Sequence, residues 1–341
     1  MYRVCITRKM KLDAVKYLKQ LDKEGIRASL IKMRDELKPV EPLSNLDLDD
    51  YKNYLTDIIK YYPLIQVMPL NFFERFINNH PNIAKLNAMD LEKEFYSSGT
   101  SKVSFFKMIV SRMRYDSEAK ILIAPYLEEY GFMTCVYCNH SEIHYNFEHK
   151  MDRGELDHLY HKERYPFLCT SFFNLVPCCG DCNGSRRKYR RRIGFKPYRE
   201  DDSLKGSPFK FIFDIRNFGK YCSENDVGID FTEDPNMGGL DTKETYNDVF
   251  RISTDYQSFK YLISDVVCDE TFQNIWQDKA ASAVSNGRLQ RDPDRIKRIL
   301  RVYSLEEKDI YRRLCMKLLG IRMVMNAKTP VCCSLLDERH M

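Results

Sequence analysis

The sequence lacks any run of about 18 apolar residues, the length a helix needs to cross a bilayer, so no membrane span is expected. Its first residues, Met1-Tyr-Arg-Val-Cys-Ile-Thr-Arg-Lys9, turn charged too early for a secretory leader. There is no internal repeat and no low-complexity tract. A Gly-x-x-x-x-Gly-Lys-Ser/Thr loop is also missing, so any ATP dependence would have to come from a partner. Neither a helix-turn-helix nor a zinc-finger array is evident, and nothing in the chain assigns base reading.

What is present supports a folded protein. The 341 residues are 43% hydrophobic and 13% aromatic, enough for two or three packed units with a sizeable core. Twelve cysteines would mark a disulfide scaffold in a short secreted chain. In this longer chain four fall in metal-ligand spacing and the rest scatter, which predicts a reducing, cytoplasmic setting.

Hydrophobic spacing predicts an α+β protein in three regions. Residues 1–130 read as mostly helical. Leu55, Ile58, Ile59 and Tyr62 form one stripe behind a cap at Asp49-Asp50. Phe72, Phe73, Phe76 and Ile77 form a second, stopped near His80-Pro81, and Phe105, Phe106, Ile109, Val110 and Met113 a third. Residues 131–200 break that pattern with Cys, His, Asn and Gly at close quarters. A short hairpin carrying Asp157-His158, a loop through Asn174 and a helix starting near Asn183 are expected there. Region 201–341 opens on a linker at 201–208. Strands follow at 209–215 and 227–231, then helices from Thr254 with Tyr256, Phe259, Ile263 and Val266 on one face. Ser304-Leu-Glu-Glu307 is a capping box for a helix bearing Ile310, Leu314, Leu318 and Ile321, and a tail begins near Thr329.

Cys135-Val-Tyr-Cys138 and Cys179-Gly-Asp-Cys182 are two thiolate pairs, each able to chelate one side of a tetrahedral zinc. Four thiolates leave no open coordination position, so the ion would be structural. Cys178 competes with Cys179, but it would lengthen the spacing to Cys-x-x-x-Cys. His140, His144 and His149 lie between the pairs; one of them could replace a thiolate on zinc, but they read first as loop-packing or solvated side chains. His80 and His340 have no chemical context, and Cys5, Cys169, Cys222, Cys268, Cys315, Cys332 and Cys333 read as reduced thiols.

Beside the cysteines stand residues suited to phosphodiester hydrolysis. His158 titrates near neutrality and can deprotonate a water. Asp157, next to it on a strand and pointing the other way, can ligate a cation. Asn183, beside Cys182, offers a second oxygen, and such a site suits Mg²⁺ or Mn²⁺. Asn174 can accept the proton on the other imidazole nitrogen and so set the tautomer. From Arg186 to Arg199, eight of fourteen residues are Lys or Arg and none is acidic. Subtracting those eight from the chain's +5 leaves −3, so the positive charge is local. Arg186, Arg187, Lys188, Arg190, Arg191 and Arg192 are the expected phosphate contacts.

Taken in order, Cys135-Val-Tyr-Cys138-Asn139, Asp157-His158, Tyr165-Pro166, Asn174-Leu-Val-Pro177 and Cys182-Asn183 resemble the zinc-bearing HNH endonucleases with a ββα-metal core. The likeness covers about 50 residues, Cys135 to Arg186. His161 stands where a proline is common, and Arg186 where a lysine is common. The resemblance implies that His158 activates water, Asp157 and Asn183 hold the catalytic metal, Asn174 positions the histidine, and the four cysteines hold zinc. It further implies DNA as substrate, with a bacterial defence role beside a separately encoded ATPase. A zinc-stapled nucleic-acid-binding module without catalysis and an RNA-directed nuclease are the alternatives.

Overall fold

The computed structural model describes residues 4–23, 25–43, 46–98, 100–130, 132, 134–143, 154–199, 209–215, 223–261 and 264. The linker at 201–208, Ile263, Val266, the Ser304 capping box, the 310–321 stripe, the tail, His144, His149, His340, Cys222, Cys268, Cys315, Cys332 and Cys333 lie outside them.

In chain order the elements are β1 (Val4–Cys5), α1 (Arg8–Lys23), α2 (Ile26–Asp35), α3 (Leu48–Val67), α4 (Phe73–Asn78), α5 (Pro81–Lys85) and α6 (Ala88–Leu91). Then come β2 (Glu94–Ser98), β3 (Ser101–Ser104), α7 (Phe105–Arg112), α8 (Lys120–Glu129), β4 (Glu155–His158), β5 (Leu175–Cys178), α9 (Gly180–Asn183) and β6 (Tyr198–Arg199). The described part closes with β7 (Phe209–Ile215), β8 (Val227–Glu233), α10 (Tyr246–Phe250) and α11 (Ile252–Gln257). The fold is α+β, with small two-stranded sheets among helices. No helix among the described residues is long and apolar enough to cross a membrane.

The chain divides into two compact units, 1–205 with 239–243, and 206–238 with 244–341. The helical region and the cysteine-bearing segment thus share the first unit. Its centre is α3, which buries Tyr51, Tyr54, Leu55, Ile58, Ile59 and Tyr62. The cap of α3 differs from the expected Asp49-Asp50. Asp47 is the N-cap and exchanges hydrogen bonds with Asp50, because only a residue still in extended conformation can turn its carboxylate back onto the first turn. Pro81 opens α5 at its first turn instead of merely ending α4, since proline loses nothing where the N–H has no helical partner. The β2–β3 hairpin has no counterpart in the sequence reading. Its strands are short and serine-rich, and Phe95 is its buried anchor, stacked 5.0 Å from Tyr51 and 5.3 Å from Phe105.

Aromatic and polar contacts join these helices to the loop 159–174. Phe73 of α4 packs 4.3 Å from Tyr160 and 5.2 Å from Tyr165. The Tyr17 hydroxyl of α1 donates to the Thr170 carbonyl at 3.0 Å, and the Thr170 hydroxyl donates to Gln66 of α3 at 2.8 Å. In the second unit β7 and β8 pair antiparallel, with Phe211 opposite Phe231, as their alternation predicts. Gln257 of α11 donates to the Ile229 carbonyl at 2.7 Å, and Tyr246, Val249, Phe250, Ile252 and Tyr256 are buried.

Phe73 is 1% exposed and couples α4 to the loop. Phe73→Ala should lower unfolding free energy by about 3–5 kcal/mol in chemical denaturation. A loss below about 1 kcal/mol would show that this contact is not part of the cooperative core.

Candidate metal centre and adjoining cleft

Two tight turns gather the cysteines. After Cys135-Val-Tyr-Cys138 the chain reverses through Asn139, whose N–H donates to the Cys135 carbonyl at 2.7 Å. Asn139 has φ 58°, a left-handed conformation that asparagine tolerates better than most residues. On the other side, α9 runs from Gly180, and the Asn183 N–H donates to the Cys179 carbonyl at 3.1 Å. The Val136 N–H reaches the Pro177 carbonyl at 3.3 Å and ties the two turns together.

The sulfurs of Cys135, Cys138, Cys179 and Cys182 lie within 4.8 Å of one another, and all four residues are buried. Cys138 and Cys179 are 3.9 Å apart. Tetrahedral zinc with Zn–S bonds near 2.3 Å places its thiolates about 3.8 Å apart, so the set fits. These four cysteines can hold a metal ion such as zinc. Cys178 is turned away, its sulfur 3.5 Å from the Glu155 carbonyl, because neighbours along an extended strand point to opposite sides. His140 is not one of the four clustered residues, but its side chain hydrogen-bonds Cys138, and its Nδ1 lies 3.2 Å from the Ser141 hydroxyl.

Beside the cluster, β4 and β5 pair antiparallel, with Asp157 opposite Val176 and His158 opposite Leu175. A cleft of about 220 Å³ opens at the end of β4, and Asp157, His158, His161 and Asn183 all line it. The opposite projection expected for Asp157 and His158 therefore does not separate them; both reach one cleft. His158 Nε2 donates to the Cys169 carbonyl at 3.0 Å. A carbonyl can only accept, so Nε2 carries the proton and Nδ1 keeps its lone pair. His158 does not titrate near neutrality as its residue type predicts: burial pushes it down to about 3, which keeps the ring neutral.

Asn174 is not the residue that orients this ring. Its Oδ1 accepts from the Tyr160 N–H at 2.8 Å, and its Nδ2 donates to the carbonyls of Tyr160 at 3.1 Å and Leu168 at 3.0 Å. It braces the loop from within, and the loop then presents the Cys169 carbonyl to His158. A main-chain acceptor leaves no mark in a sequence, which is why a side chain was expected in that role.

Asp157 is 2% exposed, and its Oδ2 accepts from the Tyr137 hydroxyl at 2.5 Å. The same oxygen lies 2.7 Å from the Lys188 ammonium. Lys188 is fully buried, so it is no phosphate contact. The helix expected to start near Asn183 ends there instead, and turns follow over 185–190. The Lys188 N–H returns to the Cys182 carbonyl at 3.1 Å, folding the basic run back onto the metal turn. Arg190 pairs with Glu163 at 2.5 Å, Arg192 pairs with Asp241 at 3.1 Å, and Arg191 donates to the Arg187 carbonyl. Arg187 Nη1 stands 3.9 Å from Cys182 Sγ, a cation beside a metal-ligand sulfur. Arg186 is exposed. Asn183 donates from Nδ2 to Glu155 at 2.6 Å, leaving its carbonyl oxygen as the atom able to ligate a cation.

Lys120 and Lys162 are cleft residues absent from the sequence reading. Their ammonium groups sit 5.0 and 5.2 Å from the centroid of the Tyr115 ring, and that ring stacks 4.5 Å from His158. A π-helical turn at Tyr115–Ala119, entered through Arg114 at φ 54°, sets Tyr115 and Lys120 in place. No spacing pattern links position 115 or 120 to the later motifs. The cleft wall therefore joins sequence-distant cations to the Asp-His pair.

Two outcomes follow from this geometry. Purified full-length protein should carry one tightly bound zinc per chain by elemental analysis. Cys179→Ser should lose it and Cys178→Ser should keep it; the reverse order would overturn the assignment. Burial also pushes His161 down to about 4. Buried His158 and half-buried His161 both fold neutral, whereas the unfolded chain takes up protons near pH 6.5. Their contribution is complete above about pH 6.5 and is lost as pH falls toward 4. His161→Gln should flatten the stability slope across that window, and an unchanged slope would refute the argument.

Compared with protein-family models, with curated proteins and with solved structures, the chain finds no match.

Proposed function

We propose that this chain is a metal-dependent endonuclease of the HNH type that hydrolyses DNA phosphodiester bonds. The observation that carries the reading is the His158 tautomer. Nε2 is held by a main-chain carbonyl, and Nδ1 is free to take a proton in a cleft that also contains Asp157 and Asn183. A neutral imidazole in that state keeps a lone pair for a water's proton; burial holds its basicity below the ordinary imidazole value, so the charge of a bound cation would have to acidify that water. Lys120 and Lys162 add positive charge where a phosphodiester would approach.

Asp157 Oδ1 and the Asn183 carbonyl oxygen are the atoms that would hold Mg²⁺ or Mn²⁺. Neither takes a hydrogen bond from another described residue. A hard divalent ion with few protein oxygens and several waters would supply charge to the developing transition state. The residues of the chain do the rest. His158 receives the proton of the attacking water, the Cys169 carbonyl keeps its ring in place on a loop that Asn174 braces, and Arg186 remains exposed for the flanking backbone. Action beside a separately encoded ATPase in bacterial defence belongs to the same proposal.

One observation favours a second reading, a zinc-stapled nucleic-acid-binding module without catalysis: the Asp157 carboxylate is already paired with Lys188. A supercoiled-plasmid nicking assay with Mg²⁺ decides between them. Intact protein should nick, and His158→Ala should be slower by about 10²–10⁴-fold. Equal nicking by both proteins would reject His158 as the base. Absence of nicking with retained DNA binding would establish the second reading. Labelled RNA in parallel should be cut more slowly than DNA.

A further inference from the structure

Lys188 ties three parts of the centre together. Its N–H bonds the Cys182 carbonyl at 3.1 Å, which anchors it to the metal turn. Its ammonium donates to the His158 carbonyl at 3.1 Å and lies 2.7 Å from Asp157 Oδ2. The side chain is 0% exposed and its partner 3%. A lysine in such a place is no surface charge, because burying an ammonium is costly unless a carboxylate meets it. Tyr137, from within the first cysteine turn, donates to the same Oδ2 at 2.5 Å. One oxygen of Asp157 is thus doubly engaged from the protein side, and Oδ1 is left for the cleft.

From this arrangement we infer that Lys188 is a positioning residue that restricts Asp157 to binding a divalent cation through Oδ1 alone. The inference rests on the reading of Asp157 as a metal ligand. Lys188 would also set its positive charge close to a cation on Oδ1, and like charges at that range oppose each other strongly in a partly buried site. Metal affinity is therefore held down while the carboxylate geometry is held fixed. Because the same ammonium bonds the His158 carbonyl, the strand carrying base and ligand moves as one piece with the cysteine cluster. Removing Lys188 should separate these effects. Asp157 would become free to offer both oxygens, so metal would bind more tightly, yet the reacting groups would lose their alignment.

The test uses the zinc-loaded full-length chain with Mn²⁺ as probe, followed by electron paramagnetic resonance. Lys188→Met and Lys188→Gln should each bind Mn²⁺ about tenfold more tightly than the intact protein. Both should nick plasmid more slowly. A residue that merely stabilised the fold would not tighten metal binding. Unchanged or weaker Mn²⁺ binding in folded variants overturns the inference, as does failure of intact protein and variants alike to bind Mn²⁺. Should neither variant fold, crystals of the intact protein soaked in MnCl₂ serve instead. Manganese on Oδ1 with Lys188 still on Oδ2 supports the inference; manganese on both oxygens with Lys188 displaced, or no manganese in the cleft, overturns it. Tighter Mn²⁺ binding in variants of a protein that cuts no nucleic acid would uphold the role of Lys188 and refute the nuclease reading.

Discussion

Four thiol sulfurs gathered within 4.8 Å are the constraint on which the rest of the site depends. The segment around them has short strands and turns and a four-residue helix, too little regular structure to set a cleft by itself. A shared ion would join the Cys135 turn to α9, with a binding free energy of about 10–16 kcal/mol in comparable zinc peptides. Asn183 follows Cys182 directly, and Lys188 hangs from the Cys182 carbonyl. Tyr137 lies between the first two cysteines and reaches Asp157. Asn183, Lys188 and Tyr137 are thus each within a residue or one hydrogen bond of one of the four clustered cysteines.

The second support is the loop 159–174, which has little regular structure yet is almost entirely buried from Pro166 to Asn174. Burying irregular backbone is costly unless its polar groups find partners. Asn174 satisfies three of them, and Tyr17 and Gln66 engage Thr170 from the helices. The helical region therefore does more than surround the cysteine segment. Through Phe73, Tyr17 and Gln66 it fixes the loop whose Cys169 carbonyl sets the His158 tautomer. In energetic terms the histidine is held by the core of the whole first unit.

Charge is arranged in two layers. Lys188 lies within the protein and neutralises Asp157, while Lys120 and Lys162 stand at the cleft around Tyr115. Arg190 and half-buried Arg192 are paired with Glu163 and Asp241, so the basic run is less of a free phosphate-binding stripe than its composition implies. An anionic ligand would meet the cleft lysines and Arg186.

The cysteine spacing was legible because chelation imposes a short-range rule: two ligands on one turn must be a few residues apart. That rule also separated Cys179 from Cys178. The stripes of α3 and α7 were legible for a similar reason, since burial repeats with the period of the local backbone, and β7 and β8 pair as their alternation predicts. Of the stripe at 72–77 only Phe73 and Phe76 are buried, and Phe72, just before α4, is exposed. Asp157, His158 and Asn183 could be named as a group, but their surroundings could not. Only the tertiary structure decided that a main-chain carbonyl holds His158, that Asn174 braces a loop, that Lys188 is an internal counter-ion, and that Lys120 arrives from far upstream. Each of these is a contact between segments distant in sequence, or with backbone that every residue shares. Local patterning carries no information about such contacts; packing of the folded chain creates them.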